Sequence, residues 1–400
     1  MSPSSQTRAD VVVVGGGVVG ASIAHHLAAG SADVLLCEQG IAPGQGATSR
    51  SGGLLRLHHT AHCDTRLAAR SLPVFQNWQD TVGGECGYRR TGFVMLVAEK
   101  YADSLRRNSA AVEESGGHSE LIDPADLTEL YPGLGLDGVG AVAYEPAGGY
   151  ADPVAAAGTL LAAARRRGAR VADGMCVRRL LTTGDRISGV ETNLGQVSAP
   201  VVVLASGAWS GRDLAGAVGV TVEVAPRRIG LALAAVPGAG AGDSGAQLPT
   251  CIDDTTGTYF RPSGNDGLYF GVPSNPAVRL GTDVEPLTPD EVAAAKDAVA
   301  TRVKAVGGAQ LLGSKAGFDG YTPDRRPLIG PAGPDGLYLA TGFSGGGFKT
   351  APAVGELVAA EVLGGAGVAG RAEEPLLTPY RPGRFVAGRP VVGDFTYERM

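Results

Sequence analysis

Three glycines and one acidic residue near the start of the chain stand at a spacing that suits the recognition of phosphate and ribose. Gly15, Gly17 and Gly20 follow an apolar run, and Glu38 ends the next apolar run. Gly15 allows a tight turn, Gly17 lets the backbone approach a pyrophosphate, and Gly20 lets a helix pack closely on a strand. A helix N-terminus offers N–H groups to phosphates, and Glu38 can accept hydrogen bonds from ribose hydroxyls. The pattern predicts a dinucleotide whose ribose carries no 2′-phosphate; the alternative is a glycine-rich turn without a ligand.

The residues around these glycines predict the β–turn–helix–β unit that would position them. Residues 10–14, DVVVV, form an apolar, β-branched run of the kind that is buried on both faces of a parallel sheet. Residues 21–29 favour a helix, and residues 34–37 favour a second buried strand. A strand, a helix and an acidic residue in this order make the fingerprint far more specific than the glycines alone.

Similar apolar strand segments recur at 201–205 and 336–340, and segments that alternate as antiparallel strands do lie between them, at 224–236 and 258–272. The length of 400 residues exceeds the ~250–300 at which single cores stop growing, which indicates two domains. We therefore predict an α/β protein in which a Rossmann-like domain, with a mixed and mostly parallel sheet, is interleaved with an α+β domain built on an antiparallel sheet. The predicted boundaries place 7–83, 149–223 and 320–400 in the first domain and 84–148 and 224–319 in the second.

The composition argues against several classes of partner. The 34 Lys and Arg against 40 Asp and Glu leave a net charge of −6, with no basic excess for a nucleic acid or an anionic membrane surface. No apolar run approaches the ~18 residues of a membrane span, and the first ten residues contain no apolar signal core. The five cysteines are an odd number at wide spacing, which favours free thiols. We expect a cytoplasmic protein.

Five motifs stand in order along nearly the whole chain. They are VVVVGGGVVGASIAHHLA, ATSRSGG, VVVLASGAWS, GYTPDRRPLIG and GLYLATGFSGGGFKTAPAVGE. Together they resemble the D-amino-acid-oxidase-like flavoprotein superfamily, and most closely its branch of sarcosine oxidase, N-methyltryptophan oxidase and glycine oxidase. The resemblance implies that the Rossmann-like domain binds FAD in an extended form, with the adenosine at the first βαβ unit and the isoalloxazine ring between the two domains.

The resemblance also assigns residues to each part of the cofactor. By position these are Gly15, Gly17, Val18, Val19, Gly20, Glu38 and Gln39 at the ADP portion, Thr48, Ser49 and Arg50 along the pyrophosphate, Val177 at the adenine, Gly207 and Trp209 beside the flavin, and Gly342, Ser344, Gly345, Gly346, Gly347, Phe348 and Lys349 at the pyrimidine edge of the ring. Consecutive backbone N–H groups in the last loop, which leads into a helix, would stabilise negative charge on a reduced flavin.

A second set of residues is implied for the substrate. The resemblance places Arg56 and Lys349 where members of the branch grip a substrate carboxylate, and an Arg fork with an ammonium suits that task. Tyr269 matches an aromatic residue at the substrate cavity, and Tyr259 and Arg261 are looser candidates. The alternatives are a solvated surface position for Arg56 and ordinary strand packing for Tyr269.

A cluster of side chains that can bind metals follows Arg56. Its members are His58, His59, His62, Cys63 and Asp64. Imidazole and thiolate groups at short spacing can share a metal ion, but the corresponding loop and helix of the resembled family carry no metal. We therefore expect no metal site and a packing, surface or substrate-lining role, with His59 the best candidate to face a substrate.

Four positions depart from the patterns of the resembled branch. Gly317 stands roughly where covalently flavinylated sarcosine oxidases carry Cys, and Arg50 stands where the dimethylglycine-dehydrogenase type carries His, so we expect non-covalent FAD. Gly346 replaces a histidine of the family loop. Arg279 matches a lysine that favours reaction with oxygen, which keeps a cation there but leaves the electron acceptor open.

The expected reaction is oxidation of the C–N bond of an amino acid or an N-substituted (secondary or cyclic) amino acid, by hydride transfer to flavin N5. An imine would form, and O₂, giving hydrogen peroxide, or another acceptor would take the electrons. One alternative is a 2-hydroxy acid dehydrogenase, which would need a base for the hydroxyl proton; the absence of histidine after His118 counts against it. Another is a non-catalytic flavin-binding subunit, against which the carboxylate clamp argues. The oligomeric state stays open.

Overall fold

Strands and helices alternate at both ends of the chain, and strands predominate in its middle. The computed structural model describes residues 7–44, 46–210, 214–242, 245–246, 248–273, 277–280, 284–364 and 374–398. The strands are β1 (Thr7–Arg8), β2 (Val11–Val14), β3 (Val34–Cys37), β4 (Leu54–Leu55), β5 (Phe93–Val97), β6 (Glu120–Ile122), β7 (Ala141–Glu145), β8 (Gly149–Tyr150), β9 (Arg170–Ala172), β10 (Val177–Thr183), β11 (Arg186–Thr192), β12 (Gly195–Ser198), β13 (Val201–Leu204), β14 (Ala225–Ala235), β15 (Ala241–Gly242), β16 (Gly245–Ala246), β17 (Thr250–Asp253), β18 (Thr258–Ser263), β19 (Gly267–Val272), β20 (Leu311–Tyr321), β21 (Leu328–Pro331) and β22 (Leu337–Thr341). The helices are α1 (Val18–Ala29), α2 (His62–Gln76), α3 (Trp78–Thr81), α4 (Ala102–Glu114), α5 (Pro124–Leu130), α6 (Pro153–Arg166), α7 (Pro289–Ala300), α8 (Lys304–Gly308) and α9 (Gly347–Gly364).

One of the two large sheets has six strands in the order β21-β22-β13-β2-β3-β9, and apolar cores cover both of its faces. Its pairs are parallel except β21 with β22. The run of valines in β2 is buried on both faces, as its apolar sequence predicts: Val11 and Val13 pack in the core that α1, α6 and α9 share, and Val12 and Val14 pack toward the four-stranded sheet β1-β12-β11-β10. The mixed, mostly parallel sheet confirms the predicted fold class.

The other large sheet has eight strands in the order β20-β14-β19-β18-β17-β5-β7-β6. Every pair in it is antiparallel except β17 with β5. Helix α7 covers part of one face, where Phe260 and Phe270 pack with Val292 and Val299. The side chains of β5 alternate between this core and a smaller cluster that contains Phe93 and Met95.

The two sheets take their strands alternately along the chain. The six-stranded sheet consists of β2, β3, β9, β13, β21 and β22, and the eight-stranded sheet consists of β5–β7, β14 and β17–β20. The pairs β4-β8 and β15-β16 form two separate small sheets. Strand β20 of the eight-stranded sheet also contacts the 3₁₀ turns Ala47–Arg50 and Gly207–Ser210. These turns follow β3 and β13 of the six-stranded sheet, so β20 lies where the two sheets approach each other. We keep the predicted domain boundaries as a proposal. In the described ranges no helix combines the length and the apolar character that a membrane span requires.

Candidate functional site

The glycine turn after β2 has no room for side chains at two of its three fingerprint positions. Gly15 has a φ of +110°, and a Cβ there would lie 2.6 Å from the carbonyl oxygen of Ala205. A Cβ on Gly20 would lie 2.0 Å from the carbonyl oxygen of Gly15. The close approach of α1 to this turn therefore depends on glycine, as the sequence pattern predicts.

Glu38 lies behind this turn and is already hydrogen-bonded to it. Its Oε2 accepts the N–H of Gly16 at 2.7 Å, and its Oε1 accepts the N–H of Gly40 at 2.8 Å. A carboxylate has about four lone-pair positions, so two backbone bonds leave capacity for a ribose hydroxyl. The neighbouring Gln39 is exposed.

The first N–H of helix α1 is not free, which refines the expectation of an open helix N-terminus. Val18 donates its N–H to Oγ1 of Thr48 at 3.0 Å. The N–H groups of Val19 and Gly20 also lie in the first turn, where helix geometry provides no intrahelical acceptor. These two positions are the backbone donors that the turn offers to a pyrophosphate.

The two positions that carry covalent flavin links in the resembled enzymes contact each other. A Cβ on Gly317 would lie 2.3 Å from Cγ of Arg50, because the Arg50 side chain crosses that position. Arg50 is held there by Nε, which donates to the carbonyl of Ala316 at 2.8 Å, and by Nη1, which donates to Oγ of Ser49 at 3.1 Å. A side chain at position 317 would therefore require Arg50 to move.

The residues predicted at the adenine and beside the flavin lie at the ends of strands. Val177 is buried at the start of β10. Gly207 has a φ of +52° and faces open space at the position of a Cβ, in the turn after β13. Trp209 packs edge-on against Phe318 of β20, with ring centroids 6.0 Å apart. The open side of the Gly207 turn fits a planar ring that lies beside it.

The glycine loop before α9 uses the N–H groups of two of its glycines within the protein. Gly346 donates to the carbonyl of Phe343 at 2.8 Å, and Gly345 donates to Oδ2 of Asp319 at 2.7 Å. Helix α9 begins at Gly347, and Gly342 and Ser344 have positive φ values in the preceding turn. The donors left for a ligand are those of the first helical turn, Gly347, Phe348 and Lys349.

Asp319 is a site residue that the sequence analysis missed. Its Oδ1 accepts the N–H of Gly320 at 2.8 Å, while Oδ2 holds Gly345. Burial raises the pKa of Asp319 to about 6, and the two backbone donors and Lys349 act in the opposite direction. Asp319 immediately precedes the motif GYTPDRRPLIG, which begins at Gly320, and this position is the one signal that could have found it.

Arg56 follows β4 and holds unpaired hydrogen-bond donors inside the protein. Its Nε and Nη1 atoms are buried and have no hydrogen-bond partner among the described residues, although the residue as a whole is partly exposed. The guanidinium lies over the ring of Phe93, with Cζ 5.9 Å from the centroid. Burial lowers the pKa of Arg56 to about 10, and Glu145 opposes that change, so the group stays cationic at neutral pH. A buried cation with unpaired donors calls for an anion.

Lys349 lies close enough to Arg56 for the guanidinium to lower the pKa of the lysine. The residue is buried, and its Nζ donates to the carbonyl of Gly345 at 3.3 Å. Burial and the nearby Arg56 lower the pKa of Lys349 to about 7, against the opposing effect of Asp64 and Asp319. The structure therefore brings together the two residues predicted to hold a carboxylate.

His59 belongs to the same group, whereas the other members of the histidine–cysteine cluster do not form a metal site. Nε2 of His59 is buried without a hydrogen-bond partner in the described part of the chain, and burial together with Arg56 and Lys349 keeps its pKa well below its ordinary value. Asp64 instead pairs with Arg326 and accepts the hydroxyl of Tyr380. Among the described residues, no three His, Cys, Asp or Glu side chains are arranged to hold a metal ion.

Arg261 is committed to neighbouring groups. Its guanidinium lies between the rings of Tyr150 and Tyr269, 4.2 and 4.7 Å from their centroids, and Nε donates to the carbonyl of Gly52 at 2.6 Å. These contacts hold Arg261 and Tyr269 in packing roles. The Tyr259 ring lies close to Gly52, to which Arg261 donates, and it also fills the space beside Gly271.

Two further cations belong to β20 and to a segment beside β14. Lys315, which the analysis missed, donates Nζ to the carbonyl of Ser49 at 3.0 Å and lies over the ring of Tyr269. The small number of lysines in the chain was the available signal for it. Arg279, expected beside the flavin, is exposed in the segment 277–280, which bridges to β14 at Arg227.

Comparisons with known proteins agree with this geometry. The family model described as "FAD dependent oxidoreductase" (DAO) matches residues 10–361. The chain is 29% identical over 382 residues to the 4-methylaminobutanoate oxidase (formaldehyde-forming) of Paenarthrobacter nicotinovorans, covering 90% of this chain and 44% of that protein. The chain thus spans less than half of this relative.

Two solved structures share the fold over almost their whole length. The L-proline dehydrogenase from P. horikoshii superposes with a TM-score of 0.86 at 27% identity, covering 96% of this chain and 100% of that one. The glycine oxidase from Geobacillus kaustophilus gives 0.80 at 25% identity, covering 95% and 99%. The cofactor is accordingly FAD, which the glycine turn, Glu38 and the open side of Gly207 fit. The chain belongs to the DAO family of FAD-dependent oxidoreductases.

Proposed function

We propose that this protein oxidises the C–N bond of an amino acid or an N-substituted amino acid and releases an imine. The observation that carries the proposal is the pairing of Arg56 and Lys349, two buried cations beside the glycine loop. FAD, when bound, supplies the two-electron acceptor that takes the hydride at N5. O₂, with hydrogen peroxide as the product, or another acceptor then removes the electrons.

The carboxylate of the substrate would satisfy the donors that the protein leaves unpaired. Nε and Nη1 of Arg56 can each donate a charge-assisted hydrogen bond to an anion, and Lys349 adds a second cation. Charge-assisted hydrogen bonds in a buried site fix orientation as well as supply affinity. The substrate is thereby held by one end, so that its α or N-alkyl C–H faces the ring.

The same cations help the substrate amine to lose its proton. A positive charge nearby disfavours the ammonium form, so Arg56 and Lys349 lower the pKa of the amine of a substrate whose carboxylate they hold. The neutral amine can then release a hydride from the adjacent carbon, and no further protein base is required for that step. His59, kept neutral by burial and by the same cations, can line the pocket without adding charge.

The names of the relatives describe substrates that combine an amine with a carboxylate. The relatives include a 4-methylaminobutanoate oxidase, an L-proline dehydrogenase and a glycine oxidase. The amine is secondary in the first two names and primary in the third. The shared carboxylate matches the Arg56 and Lys349 pair, and the nature of the amine is what an assay has to decide.

A 2-hydroxy acid is the second candidate, and one observation favours it. The chain has no histidine after His118, but the fold brings His59 close to Lys349. A neutral, buried imidazole with an unpaired Nε2 can accept a hydroxyl proton. The amine proposal needs no such base, and the relatives' names favour it.

The test is an absorbance spectrum of the purified protein, followed by anaerobic additions of amino acids, N-methyl amino acids, cyclic imino acids and 2-hydroxy acids. Bleaching by an amine-bearing acid supports the proposal, and bleaching only by hydroxy acids overturns it in favour of the second candidate. Admitting air then separates oxidase from dehydrogenase. Acid precipitation should release the flavin into the supernatant, because Arg50 occupies the space at Gly317.

A matched pair of arginine variants makes the panel specific for the clamp. Arg56→Ala should lose bleaching at substrate concentrations that saturate the parent protein. Arg70→Ala removes an exposed arginine that pairs with Glu356, and it should bleach as the parent does. Equal bleaching by both variants would show that Arg56 does not bind the substrate.

A further inference from the structure

Residues 394–398, which we call the strap, are bound to the loop that carries Arg56. The N–H of Asp394 donates to the carbonyl of Thr60 at 2.7 Å, and Oδ2 of Asp394 accepts the N–H of His62 at 2.9 Å. At the other end of the strap, the N–H of Glu398 donates to Oδ2 of Asp254 at 3.1 Å. The strap therefore connects the loop after Arg56 to the end of β17 in the eight-stranded sheet.

Tyr397 is the buried centre of the strap. Its hydroxyl lies 2.6 Å from Nε2 of His58 and accepts Nδ2 of Asn108 at 2.8 Å. The rings of His58 and Tyr397 are stacked, with centroids 5.9 Å apart. Burial lowers the pKa of His58 to about 3 and raises that of Tyr397, so the imidazole is neutral and the phenol keeps its proton. The two uncharged side chains therefore share one buried hydrogen bond.

Tyr397 also belongs to the apolar cluster that contains Phe93, the ring under the Arg56 guanidinium. Met95 and Leu105 are further members of this small cluster. From the other side, Glu145 accepts the N–H groups of Leu57 and His58 at 2.7 and 2.6 Å. The loop after Arg56 is thus held by a carboxylate on one side and by the strap on the other.

We propose that the strap, through Tyr397 and His58, positions Arg56 for the substrate carboxylate. Tyr397 is a positioning residue, because its hydroxyl acts on the loop of Arg56 through His58. Two of the donors of Arg56 have no protein partner among the described residues, so its orientation depends on the ring below it and on the loop that follows it. This proposal rests on the proposed function in one respect, namely that Arg56 binds a carboxylate.

The test measures binding of propionate, a carboxylate without an amine, to the FAD-bound protein by the change in flavin absorbance. Tyr397→Phe keeps the ring and removes the hydroxyl, and the Kd should rise about tenfold, which is the effect of one buried hydrogen bond. Arg56→Ala should raise the Kd at least a hundredfold. Tyr101→Phe is the matched control, because it removes a hydroxyl from a ring that meets Tyr397 edge-on, and it should stay within twofold.

The outcomes separate the strap from the clamp. An unchanged Kd in Tyr397→Phe, with the expected loss in Arg56→Ala, overturns the positioning role alone. An unchanged Kd in Arg56→Ala overturns the carboxylate clamp and with it the proposed function. If Tyr397→Phe lowers the FAD content but leaves the Kd of the remaining holoprotein unchanged, the strap serves only the stability of the fold. That result also overturns the positioning role of Tyr397. If Tyr397→Phe does not fold, Asp394→Ala removes the contact with His62, and a Kd less than twofold changed has the same meaning.

Discussion

The adenosine end and the substrate end of the site satisfy their polar groups in opposite ways. At the adenosine end, Glu38 is bonded to the N–H groups of Gly16 and Gly40, and Thr48 is bonded to that of Val18. At the substrate end, Arg56 and His59 keep buried nitrogen atoms without partners among the described residues. At the adenosine end, the protein itself satisfies these polar groups and sets the shape of the site. At the substrate end, a ligand has to supply the missing hydrogen-bond partners.

This difference determines how each end should fail. Cofactor binding at the adenosine end should be lost when an added atom has no space, whatever the charge of the ligand. Substrate binding at the other end should be lost when a charge is removed, and that loss should depend on pH and on the carboxylate. The predictions below separate the two kinds of failure.

The largest effect is expected from Gly20→Ala at the adenosine end. The new Cβ would lie 2.0 Å from the carbonyl oxygen of Gly15, so α1 must move away from the turn. We expect more than a tenfold loss of bound FAD, measured as flavin absorbance per protein. Gly158→Ala in α6 is the control, because the space around it is open and alanine stabilises a helix by about 0.5–1 kcal/mol relative to glycine. Normal FAD content in Gly20→Ala would contradict the close packing.

Removal of the arginine at the substrate end should have the next largest effect. Arg56→Ala should lower kcat/KM for the best substrate of the panel about a hundredfold, in line with the ~1.5–3 kcal/mol of a hydrogen bond to a charged group. The FAD content should stay unchanged, and Arg56→Lys should recover only part of the loss because lysine has no fork. A change of less than threefold in steady-state kinetics would argue against the clamp.

Carboxylate binding should weaken as the pH rises through about 7. Burial and Arg56 lower the pKa of Lys349 to about 7, so the free protein loses this cation above that pH. The Kd of propionate should be nearly constant below pH 7 and should rise by up to tenfold per pH unit above it. Asp319, whose pKa burial raises to about 6, adds a smaller change of the same sign. Lys349→Met should flatten the profile, and an unaltered profile in that variant would assign the titration elsewhere.

The smallest effect is expected from Arg279→Ala. Its side chain is exposed, in contrast to the buried atoms of Arg56 and Lys349. We expect the rate at which air reoxidises the reduced flavin, followed by stopped-flow absorbance, to change less than twofold. A tenfold loss would place Arg279 beside the ring after all, as its position in the sequence implies.

The sequence predicted well those features that depend on local chemistry. The valine run of β2, the turn at Gly15 and the acid at the end of β3 are neighbours in sequence, and their spacing carries the information. The fold class followed for the same reason, because buried parallel strands and alternating antiparallel strands have different apolar patterns. Arg56 and Lys349 were paired through the family resemblance, since nothing in their spacing shows that they meet.

The features that the sequence did not reveal depend on contacts between distant residues. Asp319 holds the N–H of Gly345, and Lys315 reaches Ser49, only because β20 passes between two turns. The same holds for Tyr397, which meets His58 after most of the chain has intervened. The exposure of Arg279 could not be inferred either, because alignment gives a position in a motif and no solvent boundary.

The order of strands in the six-stranded sheet has a consequence for folding during synthesis. Strand β2 pairs with β13 at Val201, and β13 pairs with β22 at Leu337, so the sheet cannot close until most of the chain has left the ribosome. Pairings between such distant residues form slowly and expose apolar strands meanwhile. We expect the nascent chain to depend on chaperones and to acquire its cofactor only after α9 is made, because that helix packs on α1 behind the dinucleotide turn.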